Sequence, residues 1–410
     1  MVRQRSSARM IRPPPPHSKP RTRPIIHVRS LRLLALLLWA APAAAESQWA
    51  KASPGGGGAF LSVDVSVTGK VLVGSDLSGA YMRAGTGSWT RLGKSDGLIR
   101  TSIACVRWSP ATGESALAGG RNGLYLSTNA GVSWQATGGP PLFQNDYFSA
   151  IGWSRSHSLT VYVAGAGSTA DTTVLLWRSL DGGANWSSVT HDLPTSEALR
   201  ALKLIVHPSD PNTLYLITGP DGLIAPKVLI PKRAFYKSSD GGNTWVLKSG
   251  ADEALDVAVH PTTPGTLLMT VSTGTDNTGL VKRSIDGGDT WNVVLSNTGA
   301  VWWDLPNAYL INVGLDACSP IPANAGKYMS SDGGVNWSRI DTGLTWETGW
   351  SDCPHARGIP DGGVANALSG KGEYWVTSQF VWRYTAGKFT NAFSTNVGPG
   401  RWITTGIDNA

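Results

Sequence analysis

One eight-residue phrase occurs four times in this chain: Ser179–Trp186 (SLDGGANW), Ser238–Trp245 (SSDGGNTW), Ser284–Trp291 (SIDGGDTW) and Ser330–Trp337 (SSDGGVNW). A weaker copy, Ser127–Trp134 (STNAGVSW), precedes them. Successive copies begin 52, 59, 46 and 46 residues apart. A period of that length is one small antiparallel sheet with its turns, so the chain is expected to be an array of such sheets. Within the phrase the paired glycines accept positive φ, and the Asp carboxylate can take backbone N–H groups across a tight turn. The Trp supplies a large ring to pack between neighbouring turns. Asp181, Asp240, Asp286 and Asp332 fall on four different sheets, so they are read as structural. Trp134, Trp186, Trp245, Trp291 and Trp337 are read in the same way.

Apolar strand patterns flank each phrase. Leu202–Pro208 and Thr213–Thr218 read as two strands, Ala234–Ser238 runs into the phrase, and Trp245–Lys248 leaves it. Four strands, A to D from the axis outward, make one blade. The same register recurs where the phrase is absent, at Val71–Leu92 and Tyr374–Asn391. The expected fold is therefore all-β: a single seven-bladed β-propeller of four-stranded antiparallel blades with the phrase in C–D turns. Ser47–Ala50 reads as a spare D strand and Trp402–Thr405 as a spare A strand. One of the two is expected to close the ring, since open edges invite aggregation.

The net charge of +7 belongs to the leader. Residues 1–45 hold nine Lys/Arg and no acid, more than the whole excess, so the charge gives no case for nucleic-acid binding. This segment has a basic start, the apolar run Leu33–Ala40 and the small-residue site Ala43–Ala45, the pattern of a secretory signal. The apolar run is too short to span a bilayer. An organellar transit peptide is the alternative reading, and the long Pro-rich start leaves Met10 as a second candidate initiator. The expected organisation is a signal peptide over 1–45 and the propeller over 46–410, exported to the periplasm or medium, monomeric and without a membrane span. Three cysteines remain in the propeller: Cys105, Cys318 and Cys353. Cys105 reads as a buried thiol in an apolar strand. Cys318 and Cys353 fall in loops of adjacent blades and are expected to form a disulfide.

The repeated phrase matches the Asp-box of sialidases, sortilin-like receptors, photosystem assembly factors and two-propeller xyloglucanases. The opening segments Gly55–Phe60, Val73–Tyr81 (VGSDLSGAY) and Trp89–Leu92 resemble the start of the xyloglucanase family. That resemblance implies a catalytic base at Asp76, although Ser78 replaces the first Gly of the family's pattern. In that family the acid comes from a second propeller, whereas this chain has blades for one. Sialidases fit less well: the mature start lacks the Arg-Ile-Pro motif, and Arg357–Pro360 lies at the other end of the chain.

Asp-boxes occupy the end of the ring that carries C–D and A–B turns, so a ligand is expected on the opposite end, among B–C and D–A loops. Asp76 belongs there. The segment rich in aromatics and acids is read at the same end: Trp302, Trp303, Trp346, Trp350 and His355 as ligand contacts, with Asp304, Glu347, Asp352 and Asp361 as candidate acids. The competing reading makes the tryptophans core, since one of Trp302 and Trp303 must face inter-blade packing. His207 and His260, each in a Val-His-Pro turn, read as structural. No metal-ligand spacing is present, and no cofactor is expected. The Gly55–Gly58 run opens no helix, which removes a phosphate-binding reading. Three functions remain: a propeller binding a polysaccharide, oligosaccharide or protein; a glycoside hydrolase with Asp76 as base; and a sialidase-like hydrolase.

Overall fold

A computed structural model describes residues 60–394, apart from 85–87, 122, 139–145, 168–173, 196–198, 221–232, 251, 274–278, 313–323, 325, 341–363, 367–372, 377–379 and 386–387. The leader, the two candidate closing strands and the cysteines at 318 and 353 lie outside the described residues. No helix among them is long and apolar enough to cross a membrane.

The architecture is all-β and propeller-like. Four-stranded antiparallel sheets follow one another, each built from four consecutive strands in the order A-B-C-D. The A strands are Phe60–Val65, Ile103–Trp108, Tyr147–Trp153, Leu199–Val206, Glu253–Val259, Ala300–Asp304 and Val364–Asn366. Apolar clusters fill the spaces between sheets, as where Leu117 of the second sheet meets Phe148, Ile151 and Trp186 of the third. Alternation along each strand supplies both faces, because a middle blade is covered on both sides. Cys105 is buried there as a free thiol, its Sγ 3.6 Å from the carbonyls of Gly119 and Phe148.

Five A strands carry one extra residue near their start. Register slips at Leu61, Ala104, Ser149, Leu202 and Leu255, each opposed by no residue of the B strand. Such bulges bend the strand and re-aim its first side chains. Their recurrence sets the start of these five A strands apart from the regular remainder.

The repeated turn explains its own sequence. In each copy the Ser hydroxyl donates to the Asp carboxylate at 2.7–2.8 Å. The same hydroxyl accepts the N–H of the second Gly at 2.8–2.9 Å. The carboxylate then accepts the N–H groups of the next two residues, such as Asn243 and Thr244 on Asp240. Both glycines hold positive φ, 76° and 98° at Gly182 and Gly183. In the weaker copy Ala130 holds φ 65°, the single non-Gly residue with positive φ among those described, and Asn129 replaces the Asp. The first Gly N–H donates to the A–B turn of its own sheet: Gly182 to Leu159, Gly241 to Asn212 and Gly287 to Gly265. C–D and A–B turns therefore share one end, and the Asp-box aspartates are turn staples. His207 and His260 act similarly, their Nδ1 atoms accepting the N–H groups of Ser209 and Thr263.

These bonds leave a pH signature. The N–H and hydroxyl of Thr244 hold the Asp240 carboxyl down at about 2. Asp286 and Asp332 are likewise held below the ordinary carboxylate range, chiefly by the Thr290 hydroxyl and the Asn336 N–H. A depressed folded pKa contributes stability that is present above the unfolded value, near 4, and lost as pH falls through the folded value. The melting temperature is expected to hold between neutral pH and about 5, then fall between about 4 and 2. Asp240→Asn should flatten part of that acid limb in thermal scans. An unchanged acid limb would remove the turn carboxylate from the explanation.

Candidate functional site

Asp76 sits where expected, in the B–C turn of the first sheet after the strand Lys70–Ser75. The turn is organised by its neighbours. Ser75 N–H donates to Gly79 O at 3.0 Å, and Gly79 N–H donates to Thr101 O at 2.7 Å. The Ser75 hydroxyl lies 3.4–3.5 Å from the N–H groups of Leu77 and Ser78. Gly79 needs its glycine, since φ is +83° and a Cβ would lie 2.3 Å from Leu92 O. Ser78 does not take positive φ, so the departure from the family pattern costs the backbone nothing. Its side chain is buried and its carbonyl accepts Arg91 Nε at 2.9 Å. Asp76 itself is half-buried beside exposed Leu77.

The same end of the next sheets carries a stack that sequence reasoning missed. Arg121 follows the B strand of the second sheet, the position equivalent to Asp76, and bridges Tyr147 at the start of the third sheet's A strand. The Arg121 guanidinium lies 6.0 Å from the Tyr147 ring centroid, and that of Arg200, at the start of the fourth sheet, lies 5.6 Å from it. A half-buried tyrosine thus has two cations close to its ring. Burial raises the carboxyl pKa of adjacent Asp146. Arg121 could have been noticed as a residue aligned with Asp76. Its pairing with Tyr147 and Arg200 joins positions 26 and 53 residues away from Tyr147 and is invisible to local pattern.

The segment 302–304 lies elsewhere. Asp304 ends its A strand and pairs with Asn307, the first residue of the B strand, which puts it at the A–B end. Asp76 follows a B strand and lies at the B–C end. A strand of five or six residues separates those ends by about 15–20 Å. Glycoside hydrolysis needs its carboxyl groups about 5–9.5 Å apart, so Asp304 is removed as the acid for Asp76. Trp303 is also corrected as a ligand contact on the Asp76 end: it is 8% exposed, donates its Nε1 to Ala258 O and packs 4.4 Å from His260. Trp302 is half-buried and stacked on Tyr309 at 5.5 Å and 19°. Both line an axial cavity at the A–B end. Trp346, Glu347, Trp350, Asp352, His355 and Asp361 lie outside the described residues. No cluster of metal-binding side chains occurs among the described residues.

Comparison with known proteins agrees with this architecture. A family model described as "Sortilin, neurotensin receptor 3" (Sortilin-Vps10) matches residues 175–313, a stretch holding three of the four full Asp-box phrases. A xyloglucanase from Hypocrea jecorina (strain QM6a) is 27% identical over 183 residues, 42% of this chain and 19% of that protein. Among solved structures, an ancestral GH74 enzyme is similar with a TM-score of 0.61 at 20% identity, over 86% of this chain and 49% of the enzyme. The GH74 enzyme of Niastella koreensis is similar with a TM-score of 0.59 at 15% identity, over 83% of this chain and 55% of that enzyme. The protein is an Asp-box β-propeller structurally similar to GH74 xyloglucanase propellers. It spans about half the length of the solved enzymes it resembles.

Proposed function

We propose that this chain is an exported, monomeric seven-bladed propeller that binds a glycan on the end carrying Asp76, Arg121, Tyr147 and Arg200. The observation that carries the reading is the Arg121–Tyr147–Arg200 cluster, a half-buried ring with guanidinium groups 6.0 and 5.6 Å from its centroid and the half-buried carboxylate of Asp146 next to it in the chain. Aromatic faces receive the C–H face of a pyranose, while guanidinium and carboxylate groups bond its hydroxyls. The opposite rim is occupied by turns whose polar atoms are already hydrogen-bonded to one another. Ring closure is supported by packing of Phe60–Val65 on Val364–Asn366. The sequence likeness to a xyloglucanase favours β-glucan and xyloglucan oligosaccharides as first ligands to try.

A second reading, a glycoside hydrolase with Asp76 as base, has the xyloglucanase-like opening segment in its favour. It requires a second carboxyl group within reach of Asp76. In calorimetric titrations with xyloglucan oligosaccharides, Arg121→Ala and Tyr147→Ala should each weaken binding by roughly five- to tenfold. Both should melt within a few degrees of the native chain. Unchanged affinity in both variants would move the ligand away from this stack.

A further inference from the structure

We propose that the A–B turns of the fourth and fifth sheets form an acid-operated latch on one side of the axial cavity. The neutral rings of His207 and His260 hold it closed, and a second proton on each ring releases it. The repeat supplies the comparison. The residue that follows the A strand is Ser66, Ser109 and Ser154 in the first three sheets, then His207 and His260 in the fourth and fifth. All five donate their N–H across the turn, to the carbonyls of Lys70, Ser115, Thr160, Thr213 and Thr266, at 2.8–3.0 Å. They are therefore equivalent positions.

The five side chains also accept turn N–H groups. Ser66 Oγ accepts from Lys70 at 2.9 Å, Ser109 Oγ from Ala111 at 3.4 Å and Ser154 Oγ from His157 at 3.1 Å. His207 Nδ1 accepts from Ser209 at 3.3 Å, and His260 Nδ1 from Thr262 and Thr263 at 3.2 and 3.0 Å. A hydroxyl accepts at any ordinary pH, whereas Nδ1 accepts only while the imidazole is neutral. The fold takes serine at this position, so histidine adds one property. On protonation its Nδ1–H meets the turn N–H groups head-on, and the turn has to open. Pro208 and Pro261, the next residue in each turn, line the axial cavity of about 430 Å³ together with Trp303. Release frees that side of the wall, while the Pro110 side, held by Ser109, keeps its bond.

The surroundings set the direction. His260 packs 4.4 Å from Trp303, and burial together with Arg283 of its own sheet holds its pKa below the ordinary histidine value. Asp304 follows Trp303 at the same strand end. His207 lies on Tyr215 at 6.3 Å. Burial lowers its pKa as well, with Lys237 acting in the same direction and Asp210 against it. His157 of the neighbouring turn acts on Asp210 in its turn. A lowered folded value means that the closed turn prefers the neutral ring. Local stability is thus full above about pH 6.5 and lost as pH falls through the lower folded value. Since only a turn opens, the cost is capped at the local opening free energy, and global melting is nearly blind to it.

Amide hydrogen exchange on the full chain at pH 7 and pH 5, corrected for the intrinsic exchange rates, tests the latch. Protection at Ser209, Thr262 and Thr263 should fall at least about fivefold on acidification. Protection at Lys70, Ala111 and His157, whose N–H groups bond to serine hydroxyls, should hold. His207→Ser and His260→Ser, each supplying the residue that the first three sheets use, should remove the acid response from their own turns. Equal responses in the serine and histidine turns would overturn the proposal. So would unchanged protection at Ser209, Thr262 and Thr263, or an acid response that persists in the serine variants.

Discussion

Lys203→Met is expected to destabilise the protein by about 3–5 kcal/mol at neutral pH, the cost of leaving a buried carboxylate without its cation. Asp256 is 1% exposed and makes three kinds of contact: Lys203 Nζ at 2.5 Å, Val257 N–H at 2.9 Å and Val301 N–H at 2.9 Å. The last of these crosses from the fifth sheet to the sixth, and Lys203 reaches Asp256 from the fourth, so one carboxylate joins three blades. Burial pushes the Asp256 carboxyl pKa up, with Lys203 and the two N–H groups acting against it. Removing the lysine removes the largest opposing influence. A folded pKa raised above the unfolded value means that the folded state holds the proton more firmly. The penalty in Lys203→Met should therefore be full above the raised folded pKa and shrink as pH falls below it. The double variant Lys203→Met/Asp256→Asn should recover most of the loss, because the carboxamide oxygen can still accept an N–H group. Denaturant titrations at two pH values measure all of this, and a loss under about 1 kcal/mol in Lys203→Met would show that the pair is solvated.

Gly120→Ala and Gly165→Ala should each cost about 2–3 kcal/mol, the range for forcing an extra carbon into a closed space. The two glycines hold the same register position, opposite the residue before the bulge in the second and third A strands. A Cβ there would lie 1.7 Å from Ser102 O and 1.8 Å from Tyr147 O, both backbone atoms that move only with the strand. Ser75, Thr218 and Val271 fill that register position in other sheets, so the fold in general accepts a side chain. The cost arises from displacing a particular strand start. In Gly165→Ala the displaced strand carries Tyr147, and glycan affinity should fall together with stability. Gly250→Ala is the control: φ is +60°, nothing lies within 4 Å of the new carbon, and the loss should stay near 1 kcal/mol. Melting curves that fail to separate Gly165→Ala from Gly250→Ala would contradict the close approach.

The turns were legible in the sequence because their chemistry is local. Ser, Asp and the two glycines of each phrase bond to one another within a few residues, so composition and order suffice to read the geometry. Cys105 and the two histidine turns were legible for the same reason. The site was legible only at Asp76, whose turn is a contiguous stretch. Arg121, Tyr147 and Arg200 come together across three sheets, and Lys203 and Asp256 across two. A bulge near the start of the A strand also shifts side-chain alternation, so a charged residue in these strands looks like a lapse in an apolar pattern. The Trp302–Asp304 stretch groups with 346–361 only by nearness in sequence. Strand direction places it at the A–B end instead, and that end holds the axial cavity that elimination had set aside.

We propose that the Asp76 end binds a glycan without cleaving it. Incubating the native chain and Asp76→Asn with xyloglucan oligosaccharides, while following both calorimetric binding and release of new reducing ends, tests it directly. Saturable binding by both proteins and no new reducing ends from either are expected. Reducing ends released by the native chain and abolished in Asp76→Asn, with the melting temperature unchanged, would contradict it and make Asp76 the base of a hydrolase.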